Sequence, residues 1–218
     1  MGTDNLLNRR KNERQKRLSK ERKLREETWL IVCEGTKTEP NYFSSLINEI
    51  NKNRRNKIKY KIISKGYNTK SLVNSVDELF NYYDELNRNK IVRYGKIFVV
   101  FDKDDFSNES FNSAVGMCKK RGYISLWSNQ CIEVWFLLHF NYLSSNISRN
   151  DYIKKLEKIL KIKYQKNDDH FQLIGGLSNI EKAIENSKKL YNRYSKNDSP
   201  SNMSPCTTIF RLLDELDE

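Results

Sequence analysis

The sequence predicts an α/β protein with a mostly parallel sheet, flanking helices and a mainly helical C-terminal half. Two features of the 218-residue chain predict this fold. Up to about residue 130, short apolar segments typical of buried strands alternate with segments of helical periodicity. Strands separated by helices usually pair in parallel, with helices on both faces of the sheet. Beyond Cys131 the strand pattern ends, and the apolar residues follow helical spacing.

The elements of the first half follow from local patterns. The predicted strands lie at residues 28–33, 58–63, 96–101 and 123–127. A helix is predicted from Glu39 to Ile50, because Pro40 fits a first turn, where its missing N–H costs nothing. Apolar spacing predicts a second helix at 69–86, and Ser107 is the predicted N-cap of a third.

The second half is predicted to consist of helices joined by polar loops. These helices lie at residues 131–140, 150–160, 178–194 and 207–216, with a turn-rich loop at 197–205. We therefore divide the chain into a basic N-terminal arm or helix (1–27), an α/β core (28–140) and a helical C-terminal region packed on that core (141–218).

The charge of the chain indicates a polyanionic partner. The net charge is +12 and the isoelectric point is about 9.4. The N-terminal arm carries much of this excess on residues predicted to contact nucleic-acid phosphates or an acidic partner surface: Arg9, Arg10, Lys11, Arg14 and Arg17. A lysine-rich composition that merely solvates helix faces would give the same net charge, so charge alone does not decide between these readings.

Several classes of protein are disfavoured by the sequence. No apolar run approaches the roughly 20 residues that span a bilayer, and the N-terminus lacks the apolar segment of a secretory signal. The four cysteines form no C-x-x-C pair, so neither a disulfide framework nor a zinc site is expected. The sequence thus predicts a cytoplasmic protein without a membrane partner and with free thiols.

Acidic residues follow two of the predicted strands. Glu34 comes directly after the first strand, and Asp102, Asp104 and Asp105 come after the third. Because ligand sites of parallel sheets lie at the carboxyl ends of strands, we expect these side chains at one edge, where they would bind Mg²⁺ or Mn²⁺. Lys37 is placed to offset charge on a scissile phosphate, which gives the set needed for metal-assisted cleavage of phosphodiesters. The structural alternative is that such aspartates only cap helices or shape loops.

Four segments of the chain resemble the motifs of the RloB family. They are Glu34–Phe43 (EGTKTEPNYF), Val100–Asp105 (VFDKDD), Ser128–Phe140 (SNQCIEVWFLLHF) and Ser201–Thr208 (SNMSPCTT). Their order and spacing agree with the family, and the third segment is long and specific. The usual Asn-Pro before the cysteine of the third motif is Asn129-Gln130 here.

The resemblance implies a Toprim-like core, in which Glu34 is the general acid/base and Asp102 and Asp104 hold Mg²⁺. RloB-like proteins are linked with bacterial restriction and abortive-infection loci, often beside an ATPase gene. The expected function is therefore a toxin-like nuclease of anti-phage defence that cleaves RNA, tRNA included, or DNA. Because the chain has no P-loop motif, nucleotide sensing is assigned to a separate ATPase partner. Two alternatives stay open: a non-catalytic nucleic-acid or partner-binding module, and another Toprim activity such as nucleotidyl transfer.

The third motif contains further candidates for the site. Asn129 follows a predicted strand and would bind phosphate or cap the next helix. Glu133 is a candidate metal ligand, with an ion pair as the structural alternative. His139 ends an apolar helix, where a histidine is more often part of the core than of a site.

Overall fold

The computed structural model describes residues 3–26, 28–66, 68–86, 94–104 and 106–216. Within these ranges, the side chains of residues 3–7, 21–26 and 79–86 lie outside the description.

A five-stranded, mostly parallel sheet forms the centre of the protein. Its strands are β1 (Thr28–Cys33), β2 (Lys59–Ser64), β3 (Lys96–Asp102), β4 (Ile124–Asn129) and β5 (Cys206–Thr207). They lie in the order β2-β1-β3-β4-β5, and only β5 is antiparallel to its neighbour. The predicted fold class is therefore confirmed, and the four predicted strands lie within two residues of their predicted bounds.

Helices surround this sheet and make up most of the second half. They are α1 (Thr3–Glu26), α2 (Thr38–Asn53), α3 (Thr69–Leu86), α4 (Asn108–Arg121), α5 (Glu133–Leu138), α6 (Arg149–Leu160), α7 (His170–Leu173), α8 (Ile180–Asn192) and α9 (Phe210–Asp214). The predicted cap of α4 is confirmed, because the Ser107 hydroxyl accepts a hydrogen bond from the Ser110 N–H. Gly122 ends the same helix in the left-handed conformation that glycine adopts most easily.

Both faces of the sheet are buried, as expected for parallel strands covered by helices. Side chains of β1 alternate between two apolar clusters: Trp29 and Ile31 belong to one, Leu30 and Val32 to the other. The first cluster includes the buried apolar residues of α2 and α5 together with apolar residues of α6, α8 and α9. The second cluster contains Leu72, Val73 and Val76 of α3 and apolar residues of α4.

The end of the chain differs from the helix predicted at 207–216. Cys206 and Thr207 form β5 beside the end of β4, and the helix that follows is limited to Phe210–Asp214. The Thr208 hydroxyl accepts from the Trp127 N–H at 2.9 Å and donates to the Ser125 carbonyl at 3.0 Å. These side-chain bonds to β4 compete with helix formation, as threonine hydroxyls often do.

The basic helix α1 stands largely outside the core. All side chains of residues 8–20 are exposed, including those of Arg9, Arg10, Lys11, Arg14 and Arg17. The helix has 24 residues and is therefore about 36 Å long. In the described part of the chain, no helix combines the length and the apolar character needed to cross a membrane.

Candidate active site

The order of the strands defines the position of the candidate site. Starting from β1, the chain places β2 on one side and β3 and β4 on the other, so the strand order reverses between β1 and β3. In open α/β sheets, ligands bind at such a switch point, outside the carboxyl ends of the strands. Glu34 follows β1 and Asp102 ends β3. The two residues predicted from the sequence thus flank the switch point of this sheet.

Glu34 and Asp102 are in direct contact. The Asp102 N–H donates a hydrogen bond to Glu34 Oε2 at 3.3 Å, and the Glu34 N–H donates to the Val100 carbonyl at 3.0 Å. Asp102 is buried, and its Oδ2 accepts a hydrogen bond of 3.1 Å from the Ile132 N–H. Both carboxylates are therefore held by backbone N–H groups of neighbouring elements.

Asp104 lies in a tight turn directly after β3. Its φ of 36° is in the left-handed region, which aspartate tolerates better than most residues, and its N–H donates to the Gln130 carbonyl at 3.0 Å. Asp104 is close enough for its charge to raise the pKa values of Glu34, Glu39 and Asp102. Asp105, the fourth predicted metal ligand, lies outside the described residues.

Glu39 is an acidic group of the site that the sequence did not reveal. It lies in the first turn of α2 and is buried. Its carboxylate lies against Gly35, where a Cβ would overlap it. The absence of a side chain at Gly35 therefore makes room for the Glu39 carboxylate.

Glu133 brings a further buried carboxylate to the site. It is 1% exposed, and its Oε1 accepts a hydrogen bond of 2.7 Å from the Tyr164 hydroxyl. Its Oε2 is buried and has no hydrogen-bond partner. Burial, and then the charge of Glu133, raise the pKa of the neighbouring Cys131 thiol. A buried polar atom without a partner is uncommon in folded proteins and calls for an explanation.

Arg149 is a cation in contact with this acidic cluster, which we define as Glu34, Glu39, Asp102, Asp104 and Glu133. Its Nη1 donates to both Asp104 carboxylate oxygens, at 2.8 and 2.9 Å. Its charge lowers the pKa values of Glu39 and Asp102 and so opposes the effect of their acidic neighbours. The C-terminal half of the chain therefore supplies both Arg149 and Tyr164 to a site built on the sheet.

The acidic cluster is electrostatically unfavourable without a cation. Burial, and then the charges of Glu39, Asp104 and Glu133, raise the pKa of Asp102 well above its usual value. Burial and the charges of Glu39 and Asp104 also raise the pKa of Glu34 to about 7, although the hydrogen bond from the Asp102 backbone lowers it. Among the described residues, no three His, Cys, Asp or Glu side chains are arranged as ready ligands of one metal ion.

The remaining predicted residues occupy different positions. Lys37 is exposed at the start of α2, and its carbonyl accepts from the Asn41 N–H at 3.1 Å. Asn129 is buried and donates to the Pro200 and Ser201 carbonyls, so it connects β4 to the C-terminal loop. It does not cap the next helix, because α5 has no side-chain cap. His139 is buried, its Nδ1 lies 3.0 Å from the Trp135 carbonyl, and burial lowers its pKa to about 4.

Three residues of the site were missed from the sequence: Glu39, Tyr164 and Arg149. Glu39 did carry a signal, because it shares a helix face with the apolar residues Phe43 and Ile47. An acidic residue on the buried face of an amphipathic helix indicates a site rather than a solvated surface. Tyr164 and Arg149 lie far from β1 and β3 in the chain, and no local pattern marks them.

The model of the RloB-like protein family matches residues 29–216, which is most of the chain. The chain therefore belongs to the RloB-like family. Neither the curated proteins nor the solved structures include a significant match to it.

Proposed function

We propose that this RloB-like protein is a metal-dependent nuclease that cleaves phosphodiester bonds of RNA, tRNA included, or of DNA. One observation carries the proposal: five carboxylates, from β3 and its following turn, the loop after β1, α2 and α5, converge at the switch point of the sheet, and one of their oxygens is buried without a partner. Such convergence lowers the stability of the fold because like charges repel one another, and a bound cation would relieve the repulsion.

The chemistry of these donors fits Mg²⁺ or Mn²⁺. The cluster offers carboxylate oxygens, the ligands that hard divalent cations prefer. Mg²⁺ is usually held by one or two carboxylates with several waters, so the lack of three ready-made ligands among the described residues is compatible with it. We assign the metal to Asp102 and Asp104, with Glu34 and Glu133 beside them; Asp105 stays a predicted ligand. When bound, the cation would polarise the phosphate and activate a water molecule.

The protein's own groups support the remaining steps. Glu34 is half-buried and therefore exchanges protons with solvent more readily than Asp102, which suits a general acid/base. The Asp102 N–H orients the Glu34 carboxylate through its hydrogen bond of 3.3 Å. Lys37, exposed on the loop that follows β1, is the proposed electrostatic partner of the phosphate group.

The exposed helix α1 is the proposed contact with the nucleic-acid backbone. Its cationic side chains include Arg9, Arg10, Lys11, Arg14 and Arg17, and these five are exposed. Contacts of this kind give affinity without sequence specificity, and they weaken as salt concentration rises.

We also propose that the nuclease is the toxin-like effector of a bacterial anti-phage defence system and acts with a partner ATPase. The support is the family resemblance, together with the absence of a P-loop motif from the sequence. A nuclease that damages its own cell requires control, and a separate ATPase would supply it.

A cleavage assay tests this function. Purified protein is incubated with total tRNA, messenger RNA, single-stranded DNA and duplex DNA in Mg²⁺ or Mn²⁺, with and without a partner ATPase. We expect cleavage of at least one substrate, and none in EDTA. The matched control is Glu181→Gln, an exposed carboxylate in α8, which should cleave as the wild type does.

One observation favours a second candidate, a non-catalytic module that binds nucleic acid or a partner. Arg149 already neutralises Asp104 within the protein, as expected for a structural ion pair. Tight, salt-dependent binding of nucleic acid without cleavage under any of these conditions would support this candidate instead.

A further inference from the structure

Arg149 lies at the boundary between the acidic cluster and solvent. It is the first residue of α6, and the Ser148 hydroxyl fixes that start by accepting from the Asp151 N–H at 3.2 Å. The Arg149 side chain is 36% exposed, and only its Nη1 bonds to Asp104. Its Nε and Nη2 make no hydrogen bond to the described part of the chain, so they are available to another anion.

The contact between Arg149 and Asp104 uses the oxygens that a metal ion would need. Nη1 engages both Oδ1 and Oδ2, at 2.8 and 2.9 Å. Partly exposed ion pairs contribute little to stability, so a divalent cation can replace the guanidinium on Asp104 at small cost. Arg149 is thus a removable substitute for a cation.

The neighbouring buried carboxylate points independently to a ligand that the polypeptide does not supply. Glu133 is 1% exposed, its Oε2 has no hydrogen-bond partner, and its charge acts on Asp102 and Glu39. Arg149 does not hydrogen-bond to Glu133. Arg149 interacts electrostatically with Glu133, Asp104 and Asp102, but this attraction leaves Glu133 Oε2 without a hydrogen-bond partner.

We propose that Arg149 is an exchange ligand of this site: it holds Asp104 while no cation is bound and binds a phosphate of the nucleic acid once a cation has taken Asp104. The guanidinium is suited to this role, because its planar set of N–H donors matches two oxygens of a phosphate as well as those of a carboxylate. Displaced from Asp104, the side chain stays tethered beside the site by α6. This inference rests on the proposed metal-dependent function and adds the residue that recognises the phosphate.

The first measurement is Mn²⁺ binding, followed by electron paramagnetic resonance in the wild type and Arg149→Met. Removal of the competing guanidinium should tighten Mn²⁺ binding about two- to tenfold, since it frees Asp104 and removes a repelling charge. The control is Arg121→Met, which breaks a comparable arginine–aspartate pair, Arg121 with Asp77 at 3.1 Å, far from the cluster. Its Mn²⁺ affinity should equal that of the wild type.

The second measurement is the affinity for labelled poly(U) and poly(dT) oligonucleotides, measured by fluorescence anisotropy with Ca²⁺ in place of Mg²⁺. Arg149→Met should bind them about tenfold more weakly or worse, because a charge-assisted contact to phosphate is lost. Arg149→Lys keeps the charge without the planar donor set, so it should bind with intermediate affinity. A role confined to folding would move both affinities in the same direction, whereas exchange moves them in opposite directions.

The outcomes separate this inference from the proposed function. If Arg149→Met binds Mn²⁺ no more tightly than the wild type, or binds oligonucleotides as well as the wild type, the exchange is wrong although the metal site stands. If neither the wild type nor Arg149→Met binds Mn²⁺, the metal site of the proposed function is itself wrong, and the exchange falls with it.

Discussion

Replacing Glu34 by glutamine tests whether the acidic cluster is a source of instability that the function requires. Burial and neighbouring charges raise the pKa of Glu34 from 4.5 to about 7, so the folded protein disfavours the ionised form. A difference of this size corresponds to about 3 kcal/mol for a shielded group; because Glu34 is partly exposed, we expect about 1–2 kcal/mol. Glutamine can still accept the hydrogen bond from the Asp102 N–H.

The sign of the effect depends on pH. Below pH 4.5 Glu34 is protonated in both the folded and the unfolded chain, so Glu34→Gln should change the free energy of unfolding little. Between pH 4.5 and about 7 the unfolded chain loses the Glu34 proton while the folded chain retains it, so the wild type loses stability; above pH 7 the loss is complete. The metal-free variant should therefore be more stable than the wild type at pH 8 and equally stable at pH 4.

Urea unfolding in EDTA, followed by circular dichroism at both pH values, measures this difference. Glu181→Gln is the control, because it makes the same chemical change at an exposed position and should have no effect at either pH. A Glu34→Gln variant that is less stable than the wild type at pH 8 would show that the carboxylate is stabilised in the fold, which refutes the reasoning from crowded charges.

Three further predictions concern other parts of the molecule. Gly35→Ala should displace the Glu39 carboxylate and so reduce Mn²⁺ affinity and cleavage. The control Gly116→Ala, where a Cβ meets nothing within 4 Å, should change neither. Unchanged Mn²⁺ binding by Gly35→Ala would contradict the prediction. Burial lowers the pKa of His139 from 6.5 to about 4, so the wild type should lose about 3 kcal/mol of unfolding free energy relative to His139→Phe as the pH falls through this interval. Parallel urea titrations measure this difference, and the same pH dependence in both proteins would contradict it. Deleting residues 1–26 should leave the melting temperature nearly unchanged while weakening oligonucleotide binding and its salt dependence; a large drop in melting temperature would show that α1 supports the fold.

The sheet was predictable because each parallel strand carries its own signal. Strands buried on both faces are continuous apolar runs, as in β1 and β3, and these runs are bounded by polar residues. β5 consists of two residues, which is too short for any periodic pattern, and it forms only because β4 offers a free edge and bonding partners. Its position depends on contacts between distant parts of the chain.

Contacts between distant parts of the chain also limited what could be predicted of the candidate site. Glu34, Asp102 and Asp104 were found because strand ends can be located from the sequence and parallel strands end at one edge. Arg149 reaches Asp104 across 45 positions of sequence, through the packing of α6 on α5, and nothing near Arg149 marks this contact. Sequence reasoning thus located four of the five carboxylates of the acidic cluster and missed Glu39 and the neighbouring Arg149.

Cleavage by the Asp102→Asn variant tests most directly whether the acidic cluster holds the metal ion of a nuclease. The substitution keeps the size of the side chain and an oxygen that can accept from the Ile132 N–H, but it removes a charge that a divalent cation needs. The wild type should cleave nucleic acid in Mg²⁺ or Mn²⁺ and be toxic on expression in bacteria, whereas Asp102→Asn should fold normally and lose both activities. The loss in rate should be several powers of ten, since metal assistance and acid/base groups each contribute factors of about 10² or more. Full cleavage by a folded Asp102→Asn protein would contradict the account.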